Sequence, residues 1–357
     1  MNLWDAYPDN YRAKEIGLIL RAVQAGESVL VVGLSGAGKS NLAGFLANRP
    51  PAEEPRFLLA DANRLPTRTS DALYGLMRRM LREREPAADP FDALELAVDD
   101  WMARTKQSLC FVIDRFDELV EHPSLLNNLR ALRDAYKYRL TYVVTSRRPL
   151  PPDNEFSELF LANTLWLGPL QESDARWNVQ RYAARNGLEW GEEVAEALVR
   201  LSEGYPSILR AACEAHARGA ELNLSSLASH PAVRARIEEF WSDAPGEEAL
   251  RHSRLTTNPL LMAGRAPELD FDPAGLTSKE KLLLDYLLSH SGVVCDKDEL
   301  IVAVWPEDQI YEEGVRDSSL AQLVRRLRQK IEPEPSNPRF IHSVPGRGYL
   351  LKVRSEK

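Results

Sequence analysis

At 357 residues, 44% hydrophobic and 27% charged, the chain has the make-up of a globular protein with room for two or three cores. Its formal net charge of −8 excludes a global cationic field, so any contact with nucleic acid must come from a local basic face. No apolar run approaches the length of a membrane span, which excludes a helical membrane protein and removes a membrane from the expected partners.

Met1-Asn2-Leu3-Trp4-Asp5 lacks the basic and apolar regions of a signal peptide, and a cytoplasmic location is expected. Cys110, Cys213 and Cys295 stand far apart without metal-ligand spacing and read as buried, reduced thiols. Apolar residues at 16, 19, 20 and 23 predict a first helix. The apolar run Val29–Val32 then leads into Gly33-Leu34-Ser35-Gly36-Ala37-Gly38-Lys39-Ser40, which satisfies the phosphate-binding pattern G-x-x-x-x-G-K-[ST], and into a helix starting near Asn41. Backbone N–H groups at a helix N-terminus favour phosphate, and glycines at 33, 36 and 38 permit the tight approach. Lys39 supplies a point charge for the outer phosphates and Ser40 a hydroxyl for Mg²⁺. Ser35, Ala37 and Asn41 complete the expected cradle for ATP or ADP. Tyr11 and Arg12, upstream, are candidates to touch the nucleobase, or else they pin the N-terminus to the core.

Arg56–Asp61 predicts a second strand, residues 70–77 open a helix capped by Ser70 or Asp71, and 87–107 predict another helix. Leu109–Ile113 followed by Asp114 describes a buried parallel strand that delivers a carboxylate at its end. Asp114 suits Mg²⁺, while Asp117 and Glu118 are candidates to orient or deprotonate the attacking water.

Asp114-Arg115-Phe116-Asp117-Glu118-Leu119 resembles the D-G-h-D-E-h Walker B motif of NACHT proteins and their STAND relatives, within the AAA+-like P-loop NTPases. Arg115 stands where the usual AAA+ form has Glu, and the resemblance therefore implies a slow switch rather than a motor. It also implies that Arg147, in Thr145-Ser146-Arg147 after the strand from Leu140, is a sensor for the terminal phosphate. Leu167-Gly168-Pro169-Leu170 resembles the turn that opens the helical lid of this group. Gly204-Tyr205-Pro206 resembles its G-x-P motif, whose proline packs near adenine, with Arg210 a further sensor candidate. This likeness runs over about residues 10–220.

Pattern weakens between His230 and Gly275, where a short helix near 232–241 and Pro-rich stretches read as linker. From Leu276 three helices and a terminal hairpin with a Gly-Arg-Gly tip predict a winged helix-turn-helix. The residues L-T-x-x-E, R-L-R-x-K and N-P-R-x-I…V-x-G-x-G-Y resemble the OmpR/PhoB-type DNA-binding domain over nearly all of 276–352. By that resemblance Arg325, Arg326 and Arg328 on the third helix contact bases or phosphates, and Arg347 sits at the wing.

The expected fold class is an α/β P-loop NTPase, a parallel sheet flanked by helices, with a helical lid and a C-terminal winged helix-turn-helix domain. The expected segments are 1–27 (nucleobase side), 28–165 (NTPase core), 166–230 (lid), 231–275 (linker) and 276–357 (winged helix). The expected function is an ATP-dependent switch whose nucleotide state sets lid position or self-association, and through it binding of double-stranded DNA. Two other readings stay open: a DNA-stimulated ATPase of loader or transposition type, and a STAND signalling or defence scaffold.

Overall fold

A computed structural model describes residues 3–50, 52–82, 89–119, 123–151, 155–263, 275–290, 294–305, 313–332 and 334–351. The chain divides into two compact units, Met1–Arg265 and Ala266–Lys357.

In the first unit, α1 (Ala13–Gln24) precedes β1 (Val29–Val32), and α2 (Lys39–Asn48) follows it. Then come β2 (Arg56–Asp61), α3 (Ser70–Met80), α4 (Pro90–Thr105), β3 (Leu109–Asp114), α5 (Pro123–Ala135), β4 (Leu140–Ser146), α6 (Glu155–Glu158) and β5 (Thr164–Trp166). The strands are parallel, in the order β2-β3-β4-β1-β5. Every residue of β1, β3 and β4 is buried, so these strands read as apolar runs rather than alternating ones. The pleat still sorts them. Val29, Val31, Cys110, Val112 and Val143 enter the core shared with α1, α2 and the helices beyond β5, whereas Leu30, Val32, Phe111, Ile113 and Val144 enter the core beneath α3, α4 and α5. Thr69, not Ser70 or Asp71, caps α3 by accepting from the Ala72 N–H, and Asp89 caps α4 ahead of Pro90. Because β4 lies between β1 and β3, its C-terminal end separates the glycine loop from Asp114.

The segment expected as the lid contains α7 (Glu172–Arg185), α8 (Glu192–Ser202), α9 (Pro206–Ala217) and α10 (Leu224–Ser229). The expected helix near 232–241 is α11 (Pro231–Ser242), and the stretch read as linker beyond it carries two more, α12 (Glu247–His252) and α13 (Pro259–Ala263). Val233, Ile237 and Phe240 of α11 are buried, and the Phe240 ring meets Tyr205 edge-on at 5.7 Å. Asn258, in a stretch read as linker, is fully buried. It accepts from the Leu261 N–H at 3.0 Å and donates to the Ser202 carbonyl at 2.7 Å, joining α13 to α8. The remainder of the expected linker, 264–274, lies outside the described residues.

The second unit contains α14 (Ser278–Ser289), β6 (Val294–Asp296), α15 (Lys297–Val304), α16 (Glu313–Ile331), β7 (Ile341–Val344) and β8 (Gly348–Leu351). The strands form an antiparallel sheet in the order β6-β8-β7, so the terminal hairpin gains a third strand. Leu320, Leu323, Val324, Leu327 and Ile331 form the buried stripe of α16. Thr277 and Glu280 close a capping box on α14. Glu332, buried just past α16, accepts the backbone N–H groups of Arg339, Phe340 and Ile341 at 2.6–3.0 Å and so fixes the start of the hairpin. Among the described residues no helix is long and apolar enough to cross a membrane.

Candidate functional site

The glycine loop leaves the end of β1, and the Gly33 N–H donates to the Ser146 carbonyl on β4 at 3.0 Å. Gly36 and Gly38 take left-handed backbone, φ +83° and +90°, which places the first residue of α2 at Lys39. The Lys39 ammonium donates to the carbonyls of Gly33 and Leu34 and forms no ion pair among the described residues. Removal from water pushes its pKa down to about 8, while Asp117 and Asp114 pull the other way.

Asp114 is 2% exposed, and its Oδ1 accepts from the Thr145 hydroxyl at 2.6 Å. The same hydroxyl oxygen accepts the Arg115 N–H at 2.9 Å, so one threonine ties β4 to the acidic turn. Arg115 stands at φ +59°, a left-handed position that suits the glycine of the resembled motif. Its guanidinium reaches Glu118 Oε1 at 3.0 Å, and Arg68 Nε holds Oε2 at 2.7 Å. Asp117 pairs with Arg147 at 2.8 Å, and Arg147 also meets Asp243 of the α11–α12 connection at 3.4 Å.

The lid lies directly on the glycine loop. The Tyr205 hydroxyl donates to the Ser35 carbonyl at 2.6 Å and the Ser207 N–H to the Gly36 carbonyl at 3.2 Å. Beside these contacts a cleft of ≈ 530 Å³ is lined by Ser35, Gly36, Gly38, Lys39, Ser40, Asn41, Asp117, Glu118, Arg147 and Pro206, joined by Arg115 and Arg210. Gly33 and Ala37 are buried in the loop's frame, and Asp114 is buried at the end of β3 without lining the cleft.

Tyr11 and Arg12 are not brought to this cleft. Tyr11 is 2% exposed, its ring packed among Tyr7, Phe45 and Trp177 at 4.9, 5.4 and 6.3 Å. Arg12 is 1% exposed, and its Nη2 donates to the carbonyls of Ala37 and Gly168 at 3.0 and 3.1 Å, bracing the glycine loop against the start of the lid. Asp174 fixes the Arg12 N–H at 2.9 Å. Both side chains take buried positions in this structure.

Sequence reasoning missed Arg68, Thr145 as the partner of Asp114, and Asp243. The polar end of β4 signalled the second of these; the other two meet the site only through tertiary packing.

On the second unit, Arg325 and Arg326 are exposed on α16 and Arg347 is exposed at the hairpin turn. Arg328 differs: its guanidinium donates to the Ile341 carbonyl at 2.7 and 3.0 Å and to Ser343 Oγ at 3.0 Å, binding α16 to β7.

Residues 272–351 match the family described as transcriptional regulatory protein, C terminal, and residues 11–215 that described as novel STAND NTPase 1. The chain is similar to Protein PetR of Rhodobacter capsulatus, 36% identical over 80 residues, which are 22% of this chain and 34% of PetR. It is also similar to the sensory transduction protein RegX3 of Mycolicibacterium smegmatis, 40% identical over 81 residues, 23% of this chain and 34% of RegX3. It thus spans about a third of the length of those curated relatives. Among solved structures it is similar to a Walker-type ATPase of Pyrococcus abyssi, at 15% identity and TM-score 0.46, with 95% of this chain and 92% of that one covered. With a match running over more than half its length, the chain belongs to the novel STAND NTPase 1 family, here joined to the C-terminal domain of a transcriptional regulator.

Proposed function

We propose that the protein is an adenine-nucleotide switch, slow to hydrolyse ATP, that controls sequence-specific binding of double-stranded DNA by its winged helix and so regulates transcription. The observation that carries the nucleotide half is the single cleft joining the glycine loop, Asp117, Glu118, Arg147 and Pro206.

The donor set fits a magnesium-bound polyphosphate. Lys39 is a partly buried cation held, among the described residues, by carbonyl oxygens alone, and two left-handed glycines turn the loop at the N-terminus of α2. Ser40 and Asp114 are the residues that would hold magnesium, which when bound neutralises phosphate charge and polarises the terminal phosphoryl group. Lys39 and the loop N–H groups orient the phosphates. Arg147, anchored by Asp117, offers a fork-shaped donor to the terminal one.

Slow turnover follows from the acidic turn. Glu118 is gripped by Arg68 and Arg115, and Asp117 by Arg147, so neither carboxylate is free to take a proton from water while those pairs last. The lid contacts Tyr205–Ser35 and Ser207–Gly36 are the means by which the cleft governs lid position. Arg325, Arg326 and Arg347 are the cations offered to DNA.

Fluorescent-ATP titration of wild type and Lys39→Ala tests the nucleotide half, and equal binding by both discards it. Turnover of many ATP per minute, stimulated by DNA, favours the ATPase reading instead. A salt-sensitive gel shift on a short duplex, lost in Arg326→Ala, separates the regulator from the scaffold reading.

A further inference from the structure

α11 begins beyond residue 215, where the match to the STAND NTPase family ends, yet it reaches the nucleotide cleft. Its apolar residues Val233, Ile237 and Phe240 are buried, and Phe240 meets Tyr205, whose hydroxyl donates to the Ser35 carbonyl of the glycine loop. A second stripe of the helix, Arg236, Glu239 and Asp243, lines the cleft at i, i+3 and i+7.

Both acids of this stripe are bonded to groups of the phosphate site. Ser35 Oγ donates to Glu239 Oε1 at 3.5 Å, and Arg236 pairs with the other oxygen of the same carboxylate. Asp243, just past the last residue of α11, takes Arg147 Nη1 at 3.4 Å, while Arg147 Nε is held separately by Asp117 at 2.8 Å. The guanidinium is thus divided. Asp117 fixes its base, and Asp243 engages the outer end of the fork, the end that a terminal phosphate would need. Burial drives the Lys39 pKa down, and Asp243 is among the carboxylates that oppose the fall, so it faces the phosphate-binding lysine as well. Asp243 and a terminal phosphate are rivals for one donor. From the same end of the helix, Trp241 Nε1 donates to the Leu261 carbonyl at 2.9 Å. That bond ties α11 to α13, the last helix of the first unit among the described residues.

We propose that Asp243 sets the balance between ATP and ADP at this cleft and reads which is bound: a terminal phosphate draws Arg147 Nη1 off Asp243 and releases the end of α11, whereas a diphosphate leaves the pair intact. Asp243 is a positioning residue, acting through Arg147 rather than on the nucleotide. The inference rests on the nucleotide reading above and adds to it the element that reports the terminal phosphate. Because the pair is partly exposed, its loss shifts relative affinity by about two- to fivefold rather than by orders of magnitude.

The test uses the full chain with Mg²⁺, titrated with ADP and with adenylyl imidodiphosphate, an ATP analogue whose terminal link resists hydrolysis. The readout is the ratio of the two affinities. Asp243→Asn and Asp243→Ala are each expected to move it toward the triphosphate by about two- to fivefold. In an Arg147→Ala background, Asp243→Asn is expected to leave the ratio unchanged. A merely structural Asp243 would weaken both nucleotides together, and a mere excess of negative charge would act with or without Arg147. A ratio unmoved by both substitutions, or moved equally in the absence of Arg147, overturns the assignment. Amide hydrogen exchange over residues 236–243 reads the release. In wild type it is expected to be at least about threefold faster with the triphosphate than with ADP, and equally fast with both in Asp243→Asn. Wild-type exchange that is indifferent to the nucleotide overturns the release. A wild-type chain that binds neither nucleotide overturns the nucleotide reading and this inference with it, an outcome distinct from binding both with an unmoved ratio.

Discussion

At Gly36 the glycine loop lies against Ser207 of the lid, and replacing it measures how firmly the lid is seated. A Cβ added there falls 2.0 Å from Ser207 Oγ and 2.5 Å from Ser207 Cβ. The hydroxyl can rotate aside, but the Cβ cannot, because the Ser207 N–H is bonded to the Gly36 carbonyl. Gly36→Ala therefore carries two costs: about 1–2 kcal/mol for a left-handed alanine and about 1–3 kcal/mol for overpacking against α9. In a Ser207→Gly background the obstructing atoms are gone and only the backbone cost remains. A double-mutant cycle is then expected to return a coupling of about 1–3 kcal/mol. Urea denaturation followed by tryptophan emission is the assay, since six of the seven tryptophans belong to the first unit. If Gly36→Ala costs the same in both backgrounds to within about 0.5 kcal/mol, the lid is not seated on the loop and this contact has no part in switching.

Thr145→Val removes the hydroxyl shared by Asp114 and the Arg115 N–H, and is expected to cost about 1–3 kcal/mol in the same assay; a change within error refutes the tie between β4 and the acidic turn. Releasing Glu118 by combining Arg68→Ala with Arg115→Gly is expected to raise the ATP turnover rate, and an unchanged or lower rate refutes the inhibitory grip on that carboxylate. In the second unit burial alone would raise the pKa of Glu280, but the bonds from Lys330 and Thr277 outweigh it and hold the carboxyl below its ordinary value. The stability this group adds is thus present above the ordinary carboxylate range and lost as pH falls through the folded-state value. Glu280→Gln is expected to destabilise the second unit by about 1–3 kcal/mol at neutral pH, with the gap to wild type closing in acid; a gap that persists at low pH contradicts that assignment. Arg328→Ala is expected to lower the melting temperature of the second unit by loosening β7 from α16, unlike Arg325→Ala, which leaves it unchanged.

The parts of this architecture legible in the sequence are those in which local chemistry and tertiary role coincide. Gly33–Ser40 announces its turn because glycine, lysine and serine are each demanded by backbone shape or phosphate chemistry within eight consecutive positions. Leu109–Asp114 announces a doubly covered strand because burial on both faces leaves no polar alternation to hide it. The stripe of α16 is read from its period alone. The short periodic run of Val233, Ile237 and Phe240 was enough to announce α11, but α12 and α13 were obscured: the Asn258 that precedes α13 looks like any loop residue until Ser202 is placed beside it. Tyr11 and Arg12 lie upstream of the glycine loop, and the sequence left a nucleobase contact and a core role equally open. Their partners, Trp177, Gly168 and Asp174, lie more than 150 residues away and could not be weighed from local pattern. Arg328 shares the spacing of its neighbours Arg325 and Arg326, yet faces the hairpin, a distinction fixed by helix phase against β7.

The central claim is that the state of the glycine-loop cleft governs the grip of the winged helix on DNA. The most direct measurement is the affinity of the full chain for its duplex, found by selection from random sequence and titrated with ADP–Mg²⁺, with ATP–Mg²⁺ and with neither, for wild type and for Lys39→Ala. The account requires a nucleotide-dependent change of at least about fivefold in wild type and none in the variant. Identical DNA affinity under all three conditions, in wild-type protein that demonstrably holds nucleotide, would contradict it.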